Sequence, residues 1–340
     1  MDNVIERIAY FADKTQGFLG SAEEIILRHT ILPFYLPFSD ADSAKNAAAA
    51  MAGGSIGSLK FRLGLLTSRF RANHPLKACL QCMTEDAKQF STPYWHTTHQ
   101  LPGVWTCPRH RTWLQSSLLK ASGVERFHWV LPDQRHLRQP TLSTYVPQAV
   151  VALAGAAIGL ADLAREDCFL APKNVRDAYQ FSLAKRRGIA PGDSKRLDRS
   201  RLGREYAAFV AGLRLIGELS ALPASEEIAI TEIDRLTRTP RSGIHPLRHL
   251  TLIAWLFPNF DAFRVAYDAQ RLLAQEDQRK IPSTHTVEEI NPKRQALLNL
   301  IAEGYSNSGA SRSIGVDPAT GMAWAAAAGV ETRKRPSILR

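Results

Sequence analysis

Three of the four cysteines of this chain crowd into one stretch, CLQCMTEDAKQFSTPYWHTTHQLPGVWTCPRH, residues 79 to 110. Cys79 and Cys82 are spaced C-x2-C, Cys107 and His110 are spaced C-x2-H, and 24 residues separate the pairs. A two-residue gap lets a tight knuckle aim two side chains at one ion, and two knuckles supply the four ligands of a tetrahedral site. Pro108 follows Cys107, and its fixed φ stiffens the second knuckle. Pro93, Pro102 and Gly103 place turns in the interval, which suits a short ribbon closed by metal. The pattern predicts one structural zinc ion on Cys79, Cys82, Cys107 and His110. A catalytic zinc would keep one position open to water, whereas four protein ligands are at hand here. His96 and His99, at i and i+3, compete for the fourth position, with packing as their alternative role. A redox C-x-x-C normally accompanies a βαβ pattern, and none is visible. Zinc of this kind contributes folding free energy where the local core is too small.

The remaining composition narrows the class. A chain of 340 residues, 45% hydrophobic, suffices for one large domain or roughly two to three small ones. Four cysteines make no disulfide framework, and the isolated Cys168 reads as a small buried thiol. No run reads as a membrane helix, and the N-terminus lacks the apolar core of a signal peptide, so a soluble, cytoplasmic protein with no membrane partner is expected. Lys and Arg number 43 against 32 acidic residues, a net charge of +11. That excess is the electrostatic footprint of a nucleic-acid partner, although basic proteins without one also exist.

Most of the chain reads as helix. AEEIILRHTILPFYLPF begins helical and breaks at Pro33 and Pro37. SDADSAKNAAAAMAGG has an Asp/Ser-rich start and a Gly-Gly stop. The basic amphipathic SLKFRLGLLTSRFRA follows, so residues 42 to 71 are compatible with either a helix-turn-helix or two packed helices. The intervening Gly53-Gly54-Ser55-Ile56-Gly57 matches G-x-S-x-G but follows a helix rather than the strand a nucleophile elbow needs. Neither a phosphate loop nor an H-E-x-x-H pair occurs. Residues 115 to 150 read as a loop-rich connector, followed by a small-residue helix over PQAVVALAGAAIGLADLARED, too polar at its ends for a membrane assignment.

Residues 173 to 204 hold ten Lys/Arg against three Asp/Glu. Lys185, Arg186, Arg187, Lys195, Arg196, Arg199 and Arg201 suit phosphate contact from a flexible link between helices, or simply a solvated surface. His245 and His249, at i and i+4, have no third ligand nearby in sequence and read as packing or capping residues. The C-terminal stretch parses into helices at 293 to 303, 307 to 314 and 318 to 328, with Asp317 capping the last and Pro318 at its first position. This is a helix-turn-helix pattern or a helical bundle cap. Arg312, Thr320 and the tail Arg333, Lys334 and Arg335 are its candidate DNA contacts, although PATGMAWAAAAG carries no Arg, Asn or Gln to read base edges.

HTILPFYLPF, then CLQC…YWHTTHQLPGVWTCPRH, then HPLRHLTLIAWLF resemble the TniQ/TnsD family of transposon target-selection proteins. YQFSLAKRRG and the terminal helices resemble the TnsD-type C-terminal region more loosely. The resemblance implies a protein without chemistry of its own. Such proteins recognise a target, by binding an attachment site in double-stranded DNA or by joining an RNA-guided complex. They then recruit an AAA+ ATPase regulator and with it the transposase. The family's zinc ligands fall on Cys79, Cys82, Cys107 and His110, and its helix-turn-helix elements on 42 to 71 and 293 to 328. The family usually has a longer helical region before the element that begins here at His29, so a short N-terminus is expected.

The expected fold is mainly α and multi-module, with helix-turn-helix elements and a small structural zinc ribbon. The expected modules are an N-terminal helical region (1–75), the zinc ribbon (76–114), a connector with a packing helix (115–172), a basic helical domain (173–290) and a helix-turn-helix with a basic tail (291–340).

Overall fold

The structure, a computed structural model, describes residues 8–53, 59, 63, 69–70, 75–119, 130–140, 145–187, 198–238, 243–280, 292–328 and 330. It is mainly helical, and the chain divides into two units, Met1–Ala274 and Gln275–Arg340.

The first unit opens with α1 (Ile8–Lys14) and α2 (Ala22–His29). A capping box starts α2: Ser21 Oγ accepts the Glu24 amide at 3.2 Å and Glu24 Oε2 accepts the Ser21 amide at 2.8 Å. Pro33 denies a donor to any continuation of α2, and the chain turns through a buried 3-10 segment, Leu32–Tyr35. Next comes α3 (Ala41–Gly53), the Ala-rich helix expected there. The basic helix meant to follow it and the G-x-S-x-G turn lie largely outside the described residues.

Three very short strands form an antiparallel sheet in the order β1 (Lys77–Ala78), β2 (Gln115–Ser117), β3 (Leu137–Arg138). Lys77 pairs with Ser116, and Ser117 with Leu137. The stretch expected as a loop-rich connector therefore supplies two of the three strands. The interval between the ligand pairs, expected as a short ribbon, is half helix, in α4 (Leu80–Phe90) and α5 (Thr97–Gln100). Met83 and Asp86 of α4 are buried beside Cys82, an i, i+4 spacing that a helix satisfies and a hairpin does not.

At the centre lies α6 (Gln148–Arg165), packed on the Leu32–Tyr35 turn and on α10 (Pro246–Leu256). By length and composition α6 is apolar enough to cross a membrane, but half of that window is buried inside the fold. Its small residues permit close approach: a Cβ at Gly159 would run into the ring of Phe260. The unit is completed by α7 (Pro172–Arg187), α8 (Arg199–Ala211), α9 (Glu226–Thr237) and α11 (Phe260–Lys280). The basic segment expected as a flexible link is thus helix up to Arg187 and again from Arg199, where Asp198 caps α8 by accepting the Arg201 amide at 3.0 Å. His245 caps α10 by accepting the Leu247 amide at 3.2 Å. His249 is buried between a stacked Phe38 and the Tyr179 hydroxyl, 3.1 Å away, so both histidines take the packing and capping roles expected of them.

A buried polar knot fixes the LPGVW segment. Lys77 is fully buried and its Nζ donates to the carbonyls of Leu101 (3.2 Å) and Val104 (2.6 Å). Glu218, almost fully buried, accepts from the Gly103 amide at 2.7 Å and from Trp105 Nε1 at 2.9 Å. Gly103 sits at φ +80°, and a Cβ there would approach Leu247 Cδ2 to 2.8 Å. Only glycine meets both constraints.

In the second unit, α12 (Pro292–Ala302), α13 (Asn307–Ser313) and α14 (Pro318–Ala327) reproduce the three expected helices to within two residues. Gly304, at φ +98°, ends the first. Ser306 caps the second through the Gly309 amide, and Asp317 caps the third through the Ala319 amide, with Pro318 in its first turn. A side chain at Gly321 would collide with Ser311 Oγ, so α13 and α14 pack almost backbone to backbone.

Candidate metal centre

Cys79 follows β1 and stands immediately before α4, with extended backbone, and Cys82 lies in the first turn of that helix. The first pair therefore straddles a strand-to-helix corner. The second pair sits on a tight loop: Cys107 N donates to Thr112 O at 2.8 Å, Arg111 N donates to Cys107 O at 2.9 Å, and Thr106 bridges to Trp113. Arg111 takes a left-handed conformation, φ 53°, to close it.

The four ligand atoms lie within 4.8 Å of one another. Cys82 Sγ is 3.6 Å from Cys107 Sγ, and His110 Nδ1 is 3.5, 3.4 and 3.5 Å from the sulfurs of Cys79, Cys82 and Cys107. A zinc tetrahedron with bonds of about 2.3 Å to sulfur and about 2.0–2.1 Å to nitrogen has edges of about 3.5–3.8 Å. The single lone pair or proton on Nδ1 cannot serve three sulfurs, whereas one cation at the centroid satisfies all four atoms.

Proton occupancy points the same way. A hydrogen bond from Cys107 pulls Cys79 down to about 4, the same contact pushes Cys107 far up, and burial raises Cys82 to about 11. Three sulfurs this close repel one another as thiolates, and a divalent ion supplies the charge that lets all three deprotonate. His110 is oriented for this: its Nε2 lies 2.9 Å from Glu85 Oε1, so a donated Nε2–H leaves Nδ1 free to ligate. Glu85 is held in turn by Arg109 Nη2 at 2.8 Å. The residues thus fit one metal ion with four protein ligands and no open position, an arrangement for structure and not for activating water.

His96 and His99 stay outside. His96 Nε2 contacts Asp86 at 2.8 Å and its ring stacks on Tyr94, while His99 is buried, with burial and then the neighbouring His96 lowering it to about 4. Cys168 is half-buried against the core. Sequence reasoning missed Glu85 and Thr112, whose hydroxyl lies 3.6 Å from Cys79 Sγ. Glu85 falls three residues after Cys82, a spacing that would have placed it on the same helix face.

The basic residues are scattered. Lys185 is exposed on α7. Arg186 and Arg187 end that helix, with side chains outside the described set, as are Lys195, Arg196, Arg333, Lys334 and Arg335. Arg199 pairs with Asp234, and Arg201 with Glu205 at 2.8 Å. Arg312 and Thr320 are exposed on α13 and α14.

The TniQ family profile matches residues 13–114, from the end of α1 to just beyond the second ligand pair. The transposon Tn7 transposition protein TnsD of Escherichia coli is 24% identical over 90 residues, covering 26% of this chain and 18% of that protein. The chain thus matches less than a fifth of the length of that relative. Residues 13–114 thus match the TniQ family, and the Cys3His cluster lies inside the matched region.

Proposed function

We propose that this protein selects a transposon's target: it binds double-stranded DNA at an insertion site and recruits an AAA+ ATPase regulator and the transposase, with no chemistry of its own. The observation that carries the reading is the TniQ match, which ends on a closed Cys3His centre built to hold a fold. The similarity to a Tn7 transposition protein supports it, as does the net charge of +11.

The resident ion in this reading is one structural zinc on Cys79, Cys82, Cys107 and His110. Lys185, Arg186, Arg187, Lys195, Arg196, Arg199 and Arg201 grip backbone phosphates, with Arg333, Lys334 and Arg335 from the tail. The exposed pairs of Arg199 and Arg201 are no obstacle, because such surface pairs contribute only about 0–1 kcal/mol and exchange readily for phosphate. The three C-terminal helices act as a helix-turn-helix, with Arg312 and Thr320 toward the DNA. A second reading rests on α14, whose exposed positions include Thr320 and Met322 but no amide or guanidinium. It makes the protein an adaptor that reads no sequence and joins an RNA-guided complex to the transposition machinery.

The test is a pull-down of sheared genomic DNA by the zinc-loaded protein at ~150 mM salt, where non-specific binding is suppressed, followed by sequencing. One sharply enriched locus supports the direct reader. A folded, metal-replete protein that enriches nothing refutes it in favour of the adaptor.

A further inference from the structure

A cavity of about 480 Å³ in the first unit is lined by Arg69, Arg235, Arg248, Glu232, Thr231 and His245. Its three guanidinium groups come from three separate segments. Arg235 lies on α9 at i+3 from Glu232 and i+4 from Thr231, Arg248 lies in the first turn of α10, and Arg69 precedes the buried Phe70. Among the described residues one carboxylate faces them. Glu232 Oε1 is 2.7 Å from Arg248 Nη1, and its Oε2 is 3.9 Å from Arg235 Nη1, at the outer limit of an ion pair. Arg248 is further held 5.2 Å over the Phe70 ring. Arg69 has no ion pair or hydrogen bond among the described residues.

Glu232 is buried and balances the partly buried Arg248. Among the described residues, the heads of Arg235 and Arg69 then face one open space with no further carboxylate to balance them. His245 caps α10 at the edge of the cavity, so the positive end of that helix points the same way. Guanidinium forks bind phosphate bidentately, and a charge excess of two matches a phosphate dianion better than a carboxylate. Ile228 and Ile244 give the cavity an apolar wall, on which a sugar or base can rest.

We propose that this cavity is a binding site for a phosphate group. The occupant is either the backbone of target DNA, in which case the site rests on the DNA-binding reading above, or a free phosphorylated small molecule. None of the three arginines belongs to the basic segment at 173 to 204.

The test compares the full-length, zinc-loaded protein with its Arg69→Ala/Arg235→Ala variant. Both side chains are exposed or half-exposed, and circular dichroism checks that the fold is kept. Two quantities are read: affinity for labelled duplexes of unrelated sequence as a function of salt, and the shift in melting temperature with inorganic pyrophosphate. A loss of about tenfold in duplex affinity, alike for all sequences, with a salt slope reduced by about 1.8, assigns the site to backbone phosphate. Pyrophosphate stabilisation that only the wild type shows, with duplex binding unchanged, assigns it to a free phosphorylated ligand. The same stabilisation in a wild type that binds no duplex refutes the DNA-binding reading and leaves the site standing. Glu232→Gln, which preserves shape and adds one net positive charge, is expected to tighten whichever ligand binds. If the double variant matches the wild type in both quantities, the proposal is wrong.

Discussion

Replacing Glu218 by Ala tests whether a buried charge pair holds the LPGVW segment in place. Glu218 accepts from the Gly103 amide and Trp105 Nε1, both buried, and each hydrogen bond to a charged acceptor is worth about 1.5–3 kcal/mol. It is also the counter-charge for Lys77. Burial holds the Lys77 ammonium below the usual lysine range while Glu218 pulls it back up. Removing one member of a buried pair costs about 3–5 kcal/mol. The two contributions overlap, so a loss of about 4 kcal/mol is expected, a large share of a typical ~5–15 kcal/mol stability. Urea unfolding of the zinc-loaded protein, followed by circular dichroism, measures it. Adding Lys77→Met removes the stranded cation, so the double variant should recover about 2 kcal/mol relative to additivity. The pH dependence has a fixed sign. Lys77 binds its proton less tightly folded than unfolded, so its contribution is fully present above the ordinary lysine pKa and is lost as pH falls through the depressed folded value. Glu218→Ala should extend that window toward neutral pH, and Lys77→Met should abolish it. A cost below about 1 kcal/mol, or strict additivity of the two changes, would refute the reasoning.

Three further outcomes are expected. Glu85→Ala should weaken zinc affinity by about 10–100-fold in chelator competition while leaving the stoichiometry intact, because it orients His110 without ligating; unchanged affinity would remove Glu85 from the centre. Gly103→Ala should cost about 2–5 kcal/mol, from a left-handed Ala at about 1–2 and crowding against Leu247 at about 1–3, read as a lower melting temperature. Arg186→Ala/Arg187→Ala should weaken binding to all duplexes alike in salt-dependent titrations; an effect confined to one site would contradict a phosphate role.

What was legible in the sequence was whatever is encoded locally. Cys79, Cys82, Cys107 and His110 announce a shared ion by spacing alone, and the structure brings their ligand atoms together. The three C-terminal helices were readable because Gly304, Asp317 and Pro318 mark their ends by chemistry that needs no tertiary contact. The sheet was not readable, since strands of two or three residues carry no alternation. Helix α4 was not legible because the paired knuckles and the turn residues between them suggested a short ribbon, while Cys82, Met83 and Asp86 were already spaced for a buried helix face. Lys77 and Glu218 could not be paired from sequence: each looks like an ordinary surface charge, and only folding brings both to the LPGVW segment. The arginine-lined cavity was not legible for the same reason, because Arg69, Arg235 and Arg248 come from three separate segments that only folding brings to one space.

A closed metal centre inside the TniQ-matching region, on Cys79, Cys82, Cys107 and His110, is best tested by zinc-edge X-ray absorption on the purified protein. The expected result is one zinc per chain with three sulfur neighbours at about 2.3 Å and one nitrogen at about 2.0–2.1 Å, with no oxygen in the coordination sphere. A protein that folds without metal, or a zinc carrying a water ligand in place of His110 or a cysteine, would contradict it.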